Sequence, residues 1–382
     1  MAFLDKATQW GIKKETTYGN SETLVNPTDI VELIDPSMDG NIDEIERAVV
    51  KNSLVKAESL LGKETSSGTL AVEVTSTDGS GKLNGDILYE SAMGVRIAPV
   101  ASLTLALPST GTSTITVDSG AGVDYQVGQG LKVTTVGGTE YVTVTGIMAD
   151  MLSIVPDLTT GDVTAITGLL SYRLATPSTP TVSFNVEELL SSDASNIKYK
   201  YLGVVANSMS IEFPLADILK ASFSVGGAGF SASTTGASNS ICFDLKPHIA
   251  KNIKFIYGEV EYDINELTVN VENEIYDSET LTSQGINKKI VTGKNTVGGS
   301  FMVDYDGLDL FNKYKDRTFG ELVFSTSTSL GKKFGGYAPK VALKNVSKSV
   351  DSSIYKDNVE LQMLSSGTCV NGIEDAFSIW FE

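Results

Sequence analysis

The stretch Lys63-Glu64-Thr65-Ser66-Ser67-Gly68-Thr69-Leu70-Ala71-Val72-Glu73-Val74 returns, altered, as Lys294-Asn295-Thr296-Val297-Gly298-Gly299-Ser300-Phe301-Met302-Val303-Asp304-Tyr305. A shift of 231 carries Lys63 to Lys294, Gly68 to Gly299, Val72 to Val303 and Glu73 to Asp304. Leu70, Val72 and Val74 alternate with polar or small residues, and Phe301, Val303 and Tyr305 do so less cleanly. Alternation at period two marks a half-buried strand, with Leu70, Val72, Phe301 and Val303 as candidate core residues. Both copies continue through an Asp-Gly turn (Asp78-Gly79 and Asp306-Gly307) into a short amphipathic helix. Ile87, Leu88 and Ala92 share a face of the first helix; Leu310, Phe311 and Tyr314 share one of the second. Each helix is predicted to stop at a glycine, Gly94 and Gly320.

A second pair of segments extends the repeat. Ile218-Leu219-Lys220-Ala221-Ser222-Phe223-Ser224-Val225 is similar to Ile354-Tyr355-Lys356-Asp357-Asn358-Val359-Glu360-Leu361, at a shift of 136. The two shifts, 231 and 136, differ by 95, so the first copy carries extra chain between its helix and this strand. The sequence therefore reads as two similar halves with an insertion in the first.

The texture of the chain agrees. From Pro99 to Pro180 it is rich in Thr, Val and Gly and poor in charge. Ile115 and Val117 alternate, then Leu131 and Val133, Val142 and Val144, Leu152 and Ile154, with glycines between. Short strands at close spacing predict a small sandwich or barrel. The expected organisation is a first fold over 1–98 and 181–235, an inserted β module over 99–180, and a second fold over 236–382. In the first fold Met209, Ile211 and Phe213 lead through Pro214-Leu215-Ala216-Asp217 to Ala221, Phe223 and Val225, a long hairpin. Gly226 to Ser240 reads as a glycine- and serine-rich loop. Phe377, Ile379 and Phe381 alternate at the end, with Trp380 on the other face. The fold class is all-β.

Of the 382 residues, 20% are charged and 41% hydrophobic, and the net charge is −18. That balance opposes binding to nucleic-acid phosphates, which requires a surplus of Lys and Arg. Cys242 and Cys369 have no metal or redox spacing and read as free thiols. The start, Met-Ala-Phe-Leu-Asp-Lys, lacks a secretory apolar region, and the longest apolar stretch, Ile97 to Leu107, is broken by Pro99 and too short for a bilayer. Synthesis in a cytoplasm is the expectation.

Enzyme signatures are scarce. His248, the single histidine, stands beside Pro247 and reads as structural. Val225-Gly226-Gly227-Ala228-Gly229 lacks the Lys-Ser/Thr and the crossover of a phosphate loop. Glu187-Glu188 and the Asp304/Asp306 pair suit a glycosidase only by count, and Asp43-Glu44-Ile45-Glu46 lacks the alternation of a calcium loop. No catalytic, cofactor-binding or metal site is assigned.

Taken in order along the chain, these features resemble the tail tube protein (major tail protein) of long-tailed bacteriophages. Gly11-Ile12-Lys13-Lys14-Glu15-Thr16-Thr17-Tyr18-Gly19 is similar to that family's G-x-x-x-E-T-x-Y-G start. Tyr201-Leu202-Gly203-Val204-Val205-Ala206-Asn207-Ser208-Met209-Ser210-Ile211 is similar to the strand that introduces its long hairpin. The resemblance implies β-sandwiches, each with a flanking helix, that form rings stacking into a hollow tube. Two fused folds imply the type in which three chains make a pseudo-sixfold ring, with the inserted module outside. The implied partners are further copies of the chain, the tape measure and terminator proteins, and genome DNA that passes without specific binding. No cofactor or membrane is implied.

A tube that conducts DNA must not hold it, and an acidic lining meets that need. Glu73 and Asp304, at equivalent alternating positions, are the first candidates for lumen-facing acids; an ordinary solvated outer face is the alternative. Two other classes compete: a bacterial surface or adhesive β-sandwich protein, and another phage tail or head component.

Overall fold

Leu60–Glu73 and Thr296–Asp304, the two copies of the repeated stretch, are both strands with equivalent neighbours. The computed structural model describes residues 8–24, 29–46, 58–78, 81–176, 179–191, 196–234, 245–251, 253–279, 286–291, 295–305, 307–327, 332–351, 353–365 and 377–382. In the first half, Leu60–Glu73 pairs antiparallel with Ile34–Ile45 on one side and Lys220–Gly227 on the other; the latter pairs with Asn196–Phe213. In the second half, Thr296–Asp304 lies between Ile264–Glu272 and Ile354–Leu364, and the latter pairs with Lys333–Asp351.

Register is repeated along with order. Glu73 faces Lys220 and Asp304 faces Lys356, related by the shifts of 231 and 136. Met38 faces Gly68 and Val269 faces Gly299, related by 231 on both strands. The glycines explain themselves. A Cβ on Gly68 would stand 2.0 Å from the Ser37 carbonyl oxygen, and one on Gly299 would stand 2.1 Å from that of Thr268. Each glycine admits a carbonyl of the preceding strand at a distance no side chain tolerates.

The halves join within the sheet. Asn196–Phe213 pairs with Ile264–Glu272, with Met209 opposite Val271 and Ile211 opposite Val269. One antiparallel run of eight strands results, four from each half.

A second layer covers its apolar face. In the first half Thr8–Lys14, Phe184–Ser191, the start of Asn196–Phe213 and Gly229–Ser233 form it. In the second half Lys254–Tyr257, Gly320–Ser327, the start of Lys333–Asp351 and Ser378–Phe381 do so in the same order. Each long strand thus belongs to both layers. The chain is all-β, and one continuous core runs through both halves. Leu70 and Val72 are fully buried in it, Phe301 is 2% exposed and Val303 8%.

Gly229–Ser233 corrects the loop expected from Gly226 to Ser240. Its backbone pairs with Lys198 to Leu202, and that ladder outweighs the strand-weakening composition. Residues 235–240 of that stretch, and both cysteines, Cys242 and Cys369, lie outside the described residues.

The two helices differ in how they stop. Asp86–Met93 ends at Gly94 (φ 96°), as expected. Asp309–Lys315 ends at Asp316, four residues before Gly320, which instead opens a strand. Arg317 takes the left-handed position there (φ 50°), and its N–H donates to the Tyr314 carbonyl at 3.1 Å. The hydrogen bonds of the terminal turn override the sequence preference for glycine. Leu310 is buried and Tyr314 half-buried, but Phe311 is 42% exposed and does not share their burial.

Six strands between Val100 and Gly168 form a separate sheet around a core of their own. Ile115, Val117, Leu131, Val133, Val142, Val144, Leu152 and Ile154 are all buried there. The chain leaves through Gly94–Ile97 and returns through Leu170–Leu174, two strands paired with each other. Leu170–Leu174 also pairs with Ser378–Phe381, the last strand of the chain.

Candidate functional surface

Alternation along the eight strands sorts their side chains into two faces. On one face the rows that cross the sheet are apolar. One such row runs Val72, Ala221, Ile211, Val269, Gly299, Leu361, Leu343. The next row runs Glu73, Lys220, Glu212, Thr268, Ser300, Glu360, Asn345, and belongs to the opposite face. Another row of that face runs Ala71, Ser222, Ser210, Asn270, Gly298, Gln362, Ala342. A third runs Ser37, Thr69, Ser224, Ser208, Glu272, Thr296. Strand period and pleat make this face continuous across the junction between the halves.

Its chemistry is uniform: small hydroxyls and amides, interrupted by carboxylates. Glu73 is half-buried and Asp304 exposed, and both belong to this face. Asn265 donates its side-chain amide to Asp304 at 2.8 Å. The lysines are matched. Lys220 stands between Glu73 and Glu212, and Lys356 faces Asp304. Such a surface offers a polyanion no cationic row to neutralise and no aromatic row to stack on.

Among the described residues the polar groups assemble no reaction constellation. His248 is fully buried, and among the described residues neither ring nitrogen has a hydrogen-bond partner. Burial, helped by the charges of Lys332 and Lys333, pushes its pKa down to about 3. It is a neutral core residue beside Phe334, with ring centroids 5.8 Å apart. Asp309 accepts from the Tyr262 hydroxyl (2.6 Å) and pairs with Lys313 (2.9 Å). These two partners hold its carboxyl below the usual range, while burial acts against them. Among the described residues no group of three or more His, Cys, Asp and Glu is placed to hold a metal ion. No helix among them is long and apolar enough to cross a membrane.

The sequence matches the family described as phage tail tube protein over residues 6–345. The chain belongs to the phage tail tube protein family. A comparison with curated proteins finds no match. Tail tube proteins are structural, not catalytic, and this one is a component of the virion tail.

The structure gives the stretch from Gly11 to Gly19 a physical role. The carboxylate of Glu15, itself buried, accepts hydrogen bonds from the Gly19 N–H (2.8 Å), the Ser183 hydroxyl (2.7 Å), the Gly203 N–H (2.7 Å) and the Asn185 amide. Gly19 supplies the left-handed turn (φ 73°), and Tyr18 lies where a side chain on Gly203 would stand. The motif is thus a clamp that ties the first strand to the return from the module. A charge accepting several fixed donors is the arrangement that makes burial tolerable.

Sequence reasoning placed Glu73 and Asp304 at equivalent positions but missed the lysines opposite them, although Lys220 and Lys356 stood at the second shift. It also missed what covers Trp380. The indole stacks on Tyr141 of the module (centroids 5.9 Å, planes 7° apart) and donates to the Thr143 hydroxyl at 3.2 Å. Glu382 accepts from Lys132 (2.6 Å) and the Tyr141 hydroxyl (2.7 Å) beside it. Both faces of the last strand are therefore buried, one by the core and one by the module.

Proposed function

We propose that three copies of this chain close head to tail into a ring, and that rings stack into the hollow tail tube of a long-tailed phage. The polar face of the eight-stranded run lines the lumen, and genome DNA passes along it during ejection without specific binding. One observation carries the reading: two four-strand units of equal order and register already lie side by side in one sheet. A contact that repeats head to tail closes into a ring or grows into a filament. Three copies of eight strands, spaced ~4.8 Å and tilted ~40°, close into a barrel of radius roughly 24 Å, room for a double helix. A polar, acid-bearing wall avoids the counterion release that would hold DNA in place. The chain is made in the host cytoplasm, and the tape measure and terminator proteins are its partners at assembly.

Electron microscopy of the purified protein at high concentration tests this reading. Rings or hollow tubes are the expected result. A field of monomers under every assembly condition would contradict it.

A further inference from the structure

We propose that one copy joins the next through two specific strand edges, Pro36–Asn41 and Asn345–Val350, in the register of the junction inside the chain. The inference rests on the ring reading above and adds which atoms meet.

Each half leaves the same pair of edges. Inside the chain, the far edge of Asn196–Phe213 is filled by Ile264–Glu272. Its counterpart, the far edge of Lys333–Asp351 beyond Val341, pairs with no strand among the described residues. Ile34–Ile45, the counterpart of Ile264–Glu272, pairs only with Leu60–Glu73 among them. One donor edge and one acceptor edge therefore remain, each long and each unable to pair with the other within one copy. Such edges invite another chain. The run has an even number of antiparallel strands, so the arriving strand is antiparallel as well.

The register follows from the repeat. The bulge that skips Asn207 on one long strand skips Lys344 on the other, 137 residues later. Met38 and Val269 are equivalent at a shift of 231. The junction pairs Ser208–Glu272, Ser210–Asn270 and Glu212–Thr268 thereby become Asn345–Asn41, Ser347–Asp39 and Ser349–Ser37 between copies. The Met38 carbonyl already accepts the Tyr201 hydroxyl at 2.8 Å, which leaves its second lone pair.

Charge supports the partner. Ile34–Ile45 carries Asp35, Asp39, Asp43 and Glu44 and no basic residue, and all four are exposed. The opposing edge carries Lys344 and Lys348, both exposed. Lys344 is within 4.0 Å of its own Glu360, but as an exposed pair (69% and 52%) that holds it weakly. The charge preference is one of the two edges as wholes: in this register Asp39 faces Ser347, while Lys348, 4.0 Å from its own Tyr305 ring centroid, lies on the other face.

Disulfide trapping tests the register. Ser347→Cys with Asp39→Cys, and separately Ser349→Cys with Ser37→Cys, are oxidised after assembly, and linked peptides are identified by mass spectrometry. Both pairs should link most of the chain into covalent trimers. Ser347→Cys with Asn41→Cys, displaced diagonally to roughly 7–8 Å, should not. Tubes that form while neither pair links, or while the displaced pair links as well, would overturn the register and leave the ring standing. If neither rings nor links appear, both readings fall together.

Discussion

Ile211 lies opposite Val269, and this pair, one from each half of the chain, joins two copies of the same fold into a single sheet. The sequence repeat is therefore matched by a repeat of strand order and register. A core that runs through both halves holds this junction, which in the proposed ring would be one of its two kinds of interface.

Gly68 and Gly299 should resist substitution equally. An alanine at either meets a backbone carbonyl oxygen at 2.0 or 2.1 Å, which no rotamer relieves. Gly68→Ala and Gly299→Ala are each expected to lose about 1–3 kcal/mol of unfolding free energy. Chemical denaturation of the two variants measures it. Values near zero at both would show that the strands do not approach as described.

Acid should weaken the protein through His248. Its folded pKa, about 3, lies below the unfolded value near 6.5. Below pH 6.5 the unfolded chain takes a proton that the folded one refuses. Stability is thus fully present above pH 6.5 and is lost as pH falls toward 3, by up to ~1.4 kcal/mol per pH unit. His248→Phe removes two unpartnered buried nitrogens and should leave stability at neutral pH unchanged or higher. Melting curves from pH 7 to 4 should show a shallower decline for the variant. Parallel curves would contradict the assignment.

Much of this architecture was legible in the sequence because period and repeat are local signals. Alternation marked Leu70, Val72, Phe301 and Val303, which are buried, and the two sequence shifts recur as strand register. Sequence did not reveal Arg317 as the stop of the second helix, because a left-handed arginine has no composition signal. Phe311 was expected to be buried, since a helical face predicts proximity to Leu310 but not which neighbours cover it. The polar surface was legible only as two acids. Its rows exist through pairings between separate strands, as distant in sequence as Glu73 and Lys220, and register between strands has no signature in either one alone.

The polar face should tolerate change in charge without loss of fold. Ser222 and Ser210 are adjacent on one row, half-buried and away from the core. Ser222→Lys with Ser210→Lys should leave assembly intact and make tubes retain short duplex DNA. Retention should weaken steeply with salt, by a slope of about 0.9 per phosphate contact. Filter binding across a salt series measures it. Variant tubes that retain no more DNA than the original would place this face away from the lumen.

The module between Val100 and Gly168 should be removable, provided that Leu170–Leu174 stays. Ile97 and Ser171 are paired neighbours, so a short Gly/Ser turn can join the two strands. Trp380 would lose its cover, and Trp380→Ser should accompany the deletion. The expected product is soluble, shows one cooperative unfolding transition and still polymerises. Insoluble chain across several junctions, with Trp380 replaced, would count against it.

The symmetry of the assembled tube tests the central claim most directly. A reconstruction by electron cryo-microscopy should show three chains per ring, six similar inner positions, and three outward modules, because only alternate positions carry the insertion. Six chains and six protrusions per ring would contradict the account, even with the tail tube family unchanged.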